Sequence, residues 1–99
     1  MSRSVQLGEL LALGATSSVA LKAWLMGEHE TLAHRLQCEA DERGESMAQF
    51  VRIAVSDFMA EADEESWTSL ISTVRDASDP GAACLAMVTD FRVRLEAPS

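Results

Sequence analysis

The side chains best suited to binding a metal ion stand close together in one part of this chain. His34 and Cys38 are four residues apart, and His29 precedes His34 by about one helical turn. Residues four apart share one face of a helix, so His34 and Cys38 could offer two ligands to a metal ion. A zinc site needs three or four ligands. We therefore expect these residues to pack against neighbouring side chains and to cap helices. We predict neither a metal nor another cofactor.

Nucleophilic and acid–base groups also lack suitable partners. Ser46 has no histidine at a spacing typical of serine nucleophiles, and it follows Gly44 where a helix cap is expected. The run 63–65 places three carboxylates in succession, and adjacent residues of a helix do not converge on one point. The sequence contains no glycine-rich phosphate loop, nucleophile elbow or metalloprotease motif. We predict that the protein is not an enzyme and has no catalytic residues.

The chain of 99 residues is strongly acidic, with a formal net charge of -8. Such a chain lacks the extended basic surface on which most DNA-binding proteins rely, so any cationic contact must be local. Its apolar runs are interrupted by Glu9 and Lys22, far short of the length that crosses a bilayer. Cys38 and Cys84 are too few for a disulfide framework. We expect a cytoplasmic protein with no membrane segment.

The segment 18–26 alternates two sets of side chains in the manner of a strand with one buried face. The first set is Val19, Leu21, Ala23 and Leu25, and the second is Ala20, Lys22, Trp24 and Met26. A helix is the alternative, since Val19, Ala23 and Met26 also lie near helical spacing. We favour the strand over the helix.

Two helices joined by a tight turn are predicted to follow this segment. Residues 28–43 repeat apolar side chains at helical spacing, and Gly44 then provides a stop, because glycine readily adopts the left-handed conformation that closes a helix. Ser46 and Gln49 match a capping box. The helix 47–62 is apolar over a wide part of its circumference, which predicts contacts on two sides. A second copy of the chain would supply one of those contacts.

Two more helices are predicted in the C-terminal part of the chain. Asp63 and the acids that follow it suit the amino end of a helix, where negative charge is favourable. Asp79 followed by Pro80 predicts the start of another helix. For residues 84–95 a strand is the alternative, because apolar and polar side chains alternate near the end of this segment.

The middle of the chain carries a pattern that spans two helices and the turn between them. It consists of Leu32, Leu36 and Ala40, then residues 44–46, then residues 50–55 and Phe58. Over about 30 residues this pattern resembles the ribbon-helix-helix family, which includes the Arc-, MetJ- and CopG-like repressors. The resemblance implies a mainly α fold with extra C-terminal helices, in which a short N-terminal strand from each chain of an intertwined dimer forms a ribbon that enters the major groove. The implied divisions are an N-terminal extension (1–17), a ribbon-helix-helix-like core (18–62) and a C-terminal helical extension (63–99).

The resemblance also implies a set of site residues. Lys22 and Trp24 on the strand would face the DNA groove. Ser46 and Met47 would hold a phosphate at the amino end of the second helix, where unpaired amides attract anions. The implied dimer core consists of Leu21, Leu25, Leu36, Phe50, Val51, Ala54 and Phe58.

The function implied by the resemblance is that of a homodimeric, DNA-binding transcriptional regulator: a repressor, an antitoxin or a plasmid-maintenance protein. The alternative is an acidic protein-binding module or inhibitor, such as one encoded by a phage or plasmid, that has lost DNA binding. The net charge of -8 and a strand with Lys22 as its one cation favour this alternative. Such a module would engage a protein partner through its acidic surfaces or its C-terminal segment.

Overall fold

Every regular element in the part of the chain that the structure describes is a helix. The computed structural model describes residues 12–97, of which residues 12–15 are helical. Five longer helices follow: α1 (Ser18–Glu28), α2 (Glu30–Glu42), α3 (Met47–Glu61), α4 (Glu64–Asp76) and α5 (Pro80–Glu96). None of these helices combines the length and apolarity that a membrane crossing requires. The predicted ribbon-helix-helix fold with a short N-terminal strand is wrong, since residues 12–97 include no strand.

The segment predicted as a strand forms helix α1. Its first turn is capped by Ser17, whose Oγ accepts a hydrogen bond from the backbone N–H of Ala20 at 3.2 Å. Leu21 and Leu25, four residues apart, are fully buried, whereas Val19, which has the same parity, is 79% exposed. The buried side chains therefore follow helical spacing rather than the alternation of a strand.

The turn between α2 and α3 has the predicted geometry. Gly44 adopts a left-handed conformation with φ of 67°. Ser46 Oγ accepts a hydrogen bond from the backbone N–H of Gln49 at 3.1 Å, and the Gln49 side chain accepts one from the backbone N–H of Ser46 at 3.0 Å. This capping box satisfies two amides that the start of α3 would otherwise leave unpaired.

The two C-terminal helices begin where they were predicted to begin. Asp63 and Asp79 each accept a hydrogen bond from a backbone N–H in the first turn of α4 and α5, at 2.8 and 3.2 Å. Pro80 is the first residue of α5, a position where its missing N–H costs no hydrogen bond. The α5 helix is continuous over residues 84–95, so the alternative strand does not form there.

Helix α3 packs against α1, α2 and α5, and α4 packs on α5. Phe58 on α3 makes edge-to-face contacts with Trp67 on α4 and Phe91 on α5, with ring centroids 5.0 and 5.1 Å apart. The contact of α3 with α5 covers the side of α3 that the sequence assigned to a second copy. The residues assigned to a dimer core are buried inside a single chain: Leu21, Leu25, Leu36, Phe50, Val51, Ala54 and Phe58.

Candidate functional site

The outward side of α1 is exposed and, apart from one lysine, apolar. It consists of Val19, Ala20, Lys22, Ala23 and Met26, which we call the α1 outer face. Val19 is 79% exposed and Met26 is 57% exposed. A helix that is apolar around most of its circumference is usually buried on all sides. Contiguous exposed apolar surface often marks a binding site, so this face is the first candidate for one.

A groove of about 700 Å³ adjoins this face and is bounded by α1, α2 and the start of α3. We call it the α1–α2 groove. Its apolar lining includes Met26, Ala33 and Met47, and its polar lining includes Lys22, Glu30 and His34. Met26 is the exposed apolar residue of this lining, since Ala33 and Met47 are 4% and 2% exposed. Methionine suits a binding surface because its flexible, polarisable side chain adapts to partners of different shape. The groove and the α1 outer face share Lys22 and Met26, and together they form one continuous surface.

The charges that line the groove balance, although the chain as a whole is acidic. The lining contains one lysine, one glutamate and one histidine, whereas the full sequence carries a net charge of -8. Salt screens exposed charges beyond about 8–10 Å, so a partner docked in the groove interacts mainly with this balanced set. The groove is therefore a better site for an apolar protein surface than for a polyanion.

The four residues assigned to DNA contact do not share one surface. Lys22 and Met47 both line the α1–α2 groove. Ser46 is exposed at the start of α3, where its side chain already serves as the helix cap. Trp24 lies on another side of α1, and its indole Nε1 donates a hydrogen bond to Asp79 at 3.3 Å. Two of the four predicted residues thus belong to the candidate site, and the other two have structural roles.

The cations of the described residues do not form a continuous basic patch. Four arginines are already in ion pairs: Arg35, Arg43, Arg75 and Arg92. The remaining cations within residues 12–97 line three separate surface pockets, with Lys22 in the first, Arg52 in the second and Arg94 in the third. Neutralising several neighbouring phosphates requires clustered cations. This distribution gives little support to a DNA-binding surface on residues 12–97.

A cluster of Glu28, His29 and Asp79 was missed by the sequence analysis, because Asp79 is distant in the chain. His29 Nε2 lies 2.8 Å from Asp79 Oδ2, to which Trp24 also donates, and Asp79 Oδ1 accepts the N–H of Ala82. The hydrogen bond from His29, followed by that from Ala82, lowers the pKa of Asp79. These three side chains could in principle ligate a metal, but both Asp79 oxygens already accept hydrogen bonds. Through the contacts of His29 and Trp24 with Asp79, this cluster connects α1 and the α1–α2 junction to the start of α5.

The pair of His34 and Cys38 lies apart from this cluster, on α2. His34 Nε2 and Cys38 Sγ are 3.6 Å apart on the exposed side of α2. No third ligand joins them among the residues that the structure describes.

A partly buried ionic network centred on Arg92 connects the turn between α2 and α3 to α5. Arg92 is 3% exposed, and its guanidinium donates to both carboxylate oxygens of Glu45 at 2.8 and 2.9 Å and to the carbonyl oxygen of Phe50 at 3.3 Å. The hydrogen bond from Arg92 lowers the pKa of Glu45. Glu96 joins Arg92 to Arg43, and both guanidinium groups lie over the Phe50 ring. The role of this network is to hold the fold, and it leaves these two arginines unavailable to a ligand.

These features define a small helical protein with an exposed apolar groove. Comparison of the chain with protein-family models, curated proteins and solved structures finds no match.

Proposed function

We propose that the protein is a protein-binding module whose α1–α2 groove and α1 outer face receive the apolar side of a helix from another protein chain. The observation that carries this proposal is the exposure of Val19 and Met26 on a helix that is apolar around most of its circumference. In water, covering such a surface releases free energy in proportion to the apolar area removed from solvent. The proposal keeps the protein-binding function of the alternative, but it places the contact on the α1–α2 groove instead of on acidic surfaces or the C-terminal segment.

The shape of the surface suits a helical partner. Helix α1 has 11 residues and is about 16 Å long at 1.5 Å per residue, which is about three turns. A helix laid along it would present apolar side chains at positions i, i+3 or i+4, and i+7, as amphipathic helices do in grooves between other helices. Met26, which is 57% exposed in the groove, can adjust its rotamer to such a ridge, whereas Met47 is only 2% exposed.

Two observations favour protein binding over DNA binding. The segment that would read the major groove is helix α1, with Lys22 as its one cation. The remaining cations that make no ion pair within residues 12–97, Arg52 and Arg94, line other pockets. A DNA-binding protein of this size would need a local basic surface to offset a net charge of -8.

The proposal can be tested by selecting helical peptides from a displayed library against the purified protein. We expect the selected peptides to be apolar on one side and to bind Met26→Glu at least about tenfold more weakly than the wild type, as expected for loss of a central contact. Met59→Glu is the matched control, because Met59 is 39% exposed and lines a separate pocket on α3. Circular dichroism checks that both variants are folded.

A parallel measurement addresses the competing function directly. Fluorescence anisotropy with DNA from the region upstream of the coding sequence, and with scrambled DNA, should show no preference at near-physiological salt. A preference for the upstream DNA that survives added salt would overturn the proposal in favour of a DNA-binding regulator. Selected peptides that bind Met26→Glu as tightly as the wild type would overturn the assignment of the surface.

A further inference from the structure

We propose that the occupant of this surface is a second copy of the same chain, with the two α1 outer faces packed antiparallel about a two-fold axis that passes beside Met26. This inference rests on the proposed function, since it names the partner of the same surface. It places the dimer contact away from the buried residues of α3, which are covered within one chain.

Charge is the first argument for a second copy at this place. Two chains that each carry a net charge of -8 repel one another when acidic faces meet. The α1–α2 groove is lined by one lysine and one glutamate, so its formal charge is balanced while His34 is neutral. Because screening limits surface repulsion to about 8–10 Å, the approach of two copies costs least where the local charge is balanced.

The arrangement of these two charges is the second argument. Lys22 stands on α1 four residues before Met26. Glu30, four residues after Met26, is the first residue of α2 beyond the break at His29, and all three side chains line the groove. In an isologous dimer, each residue that contacts a different residue of the second copy makes that contact twice. With the axis beside Met26, Lys22 of each chain meets Glu30 of the other. The surface is therefore complementary to itself in charge.

Apolar contact is the third argument. The two Met26 side chains meet at the axis, and the exposed Val19 and Ala23 of each chain are covered by the other. A contact built on one helix of 11 residues and the edge of α2 is at the small end of specific interfaces. We expect a weak dimer, with a dissociation constant on the order of 10 μM.

The test uses charge exchange, read by sedimentation velocity from about 1 to 500 μM, a range that brackets the expected dissociation constant. Lys22→Glu places two acids in each contact and Glu30→Lys places two cations there, so each variant alone should dimerise at least about tenfold more weakly than the wild type. An equimolar mixture of the two variants restores opposite charges in both contacts, so we expect it to form a heterodimer. The double variant should dimerise like the wild type for the same reason.

Matched controls change the net charge equally at exposed positions outside the groove. The first control is Arg75→Glu on α4, where the Arg75 side chain is 57% exposed. The second is Glu42→Lys at the exposed end of α2. Both controls should dimerise within about twofold of the wild type, since distant surface charges contribute little. Restored association in the mixture but not in the separate variants would support the axis beside Met26.

Two results would overturn the inference. A wild-type chain that stays monomeric up to 500 μM would exclude the second copy as occupant, while the peptide selection would still decide whether the surface binds proteins. A wild-type dimer that the mixed variants fail to reproduce would place the dimer contact elsewhere. Failure of the inference and failure of the proposed function are thus separate observations.

Discussion

The guanidinium of Arg92 on α5 donates two hydrogen bonds, 2.8 and 2.9 Å long, to the carboxylate of Glu45 in the turn between α2 and α3. Side-chain exposure is 4% for Arg92 and 18% for Glu45. The pair joins parts of the chain that are 47 residues apart, and α5 is thereby fixed across the central helix α3. Removing one partner of such a pair leaves the other with an uncompensated charge.

Arg92→Ala should therefore lower the free energy of unfolding by about 3 kcal/mol, at the lower end of what loss of a buried ion-pair partner costs because Glu45 keeps some contact with water. Urea denaturation measures this change. Arg94→Ala, at an exposed position two residues further along α5, is the control and should change stability by less than about 0.5 kcal/mol. Equal losses in the two variants would contradict a structural role specific to Arg92.

The same pair predicts how stability depends on pH. The hydrogen bond from Arg92 holds the pKa of Glu45 below its ordinary value of 4.5. A carboxylate whose pKa is lowered on folding contributes stability above its unfolded pKa and loses that contribution as pH falls through the lower folded pKa. Glu45→Gln should thus reduce stability at pH 7 and flatten its decline below pH 4.5. Urea denaturation at several pH values measures the free energy of unfolding of both proteins. A free energy of unfolding that falls equally steeply with pH in both would contradict this.

The contacts of Asp79 predict that two helix-cap substitutions cost unequal amounts of stability. Asp79→Ala removes the cap of α5 and the contacts with His29 and Trp24, so it should cost about 2 kcal/mol, at the upper end for helix caps. Asp63→Ala removes a cap that bonds only within its own helix and should cost about 1 kcal/mol. Thermal or urea unfolding compares the two variants. An equal loss would show that the contacts of Asp79 with His29 and Trp24 add nothing.

Two glycines should respond to alanine in opposite directions. Gly27 lies inside α1 with no atom near a would-be Cβ, so Gly27→Ala should stabilise the protein by about 0.5 kcal/mol through helix propensity. Gly44 has a φ of 67°, so Gly44→Ala should destabilise it by about 1 kcal/mol. The difference is measured by urea denaturation, and a change of the same sign in both variants would contradict the helical assignment of Gly27.

Local features of this fold could be predicted from the sequence. The capping box of Ser46 and Gln49, the left-handed Gly44 and the cap at Asp79 depend on residues within a few positions of one another. Short stretches of sequence therefore determine the geometry of these features.

The parts that could not be predicted depend on distant contacts. A nine-residue apolar stretch fits a strand or a helix about equally well, and the choice of α1 depends on Leu21 and Leu25 being covered by other helices. The pairing of Arg92 with Glu45 joins positions 47 residues apart, which no local pattern encodes. For the candidate site, the sequence predicted Lys22 and Met47 as DNA contacts and did not predict the groove that both line, because their proximity arises only from the packing of three helices.

Protein binding at the α1 outer face can be measured by the rate at which dilute hydrogen peroxide oxidises Met26, followed by mass spectrometry at about 1 and 300 μM protein. These concentrations lie on either side of a dissociation constant on the order of 10 μM. Met59, 39% exposed on α3, is the internal control for Met26, which is 57% exposed. We expect Met26 oxidation to slow several-fold at the higher concentration or with a saturating selected peptide, while Met59 oxidation does not change. An unchanged rate for Met26 under both conditions would contradict the claim that this surface binds protein.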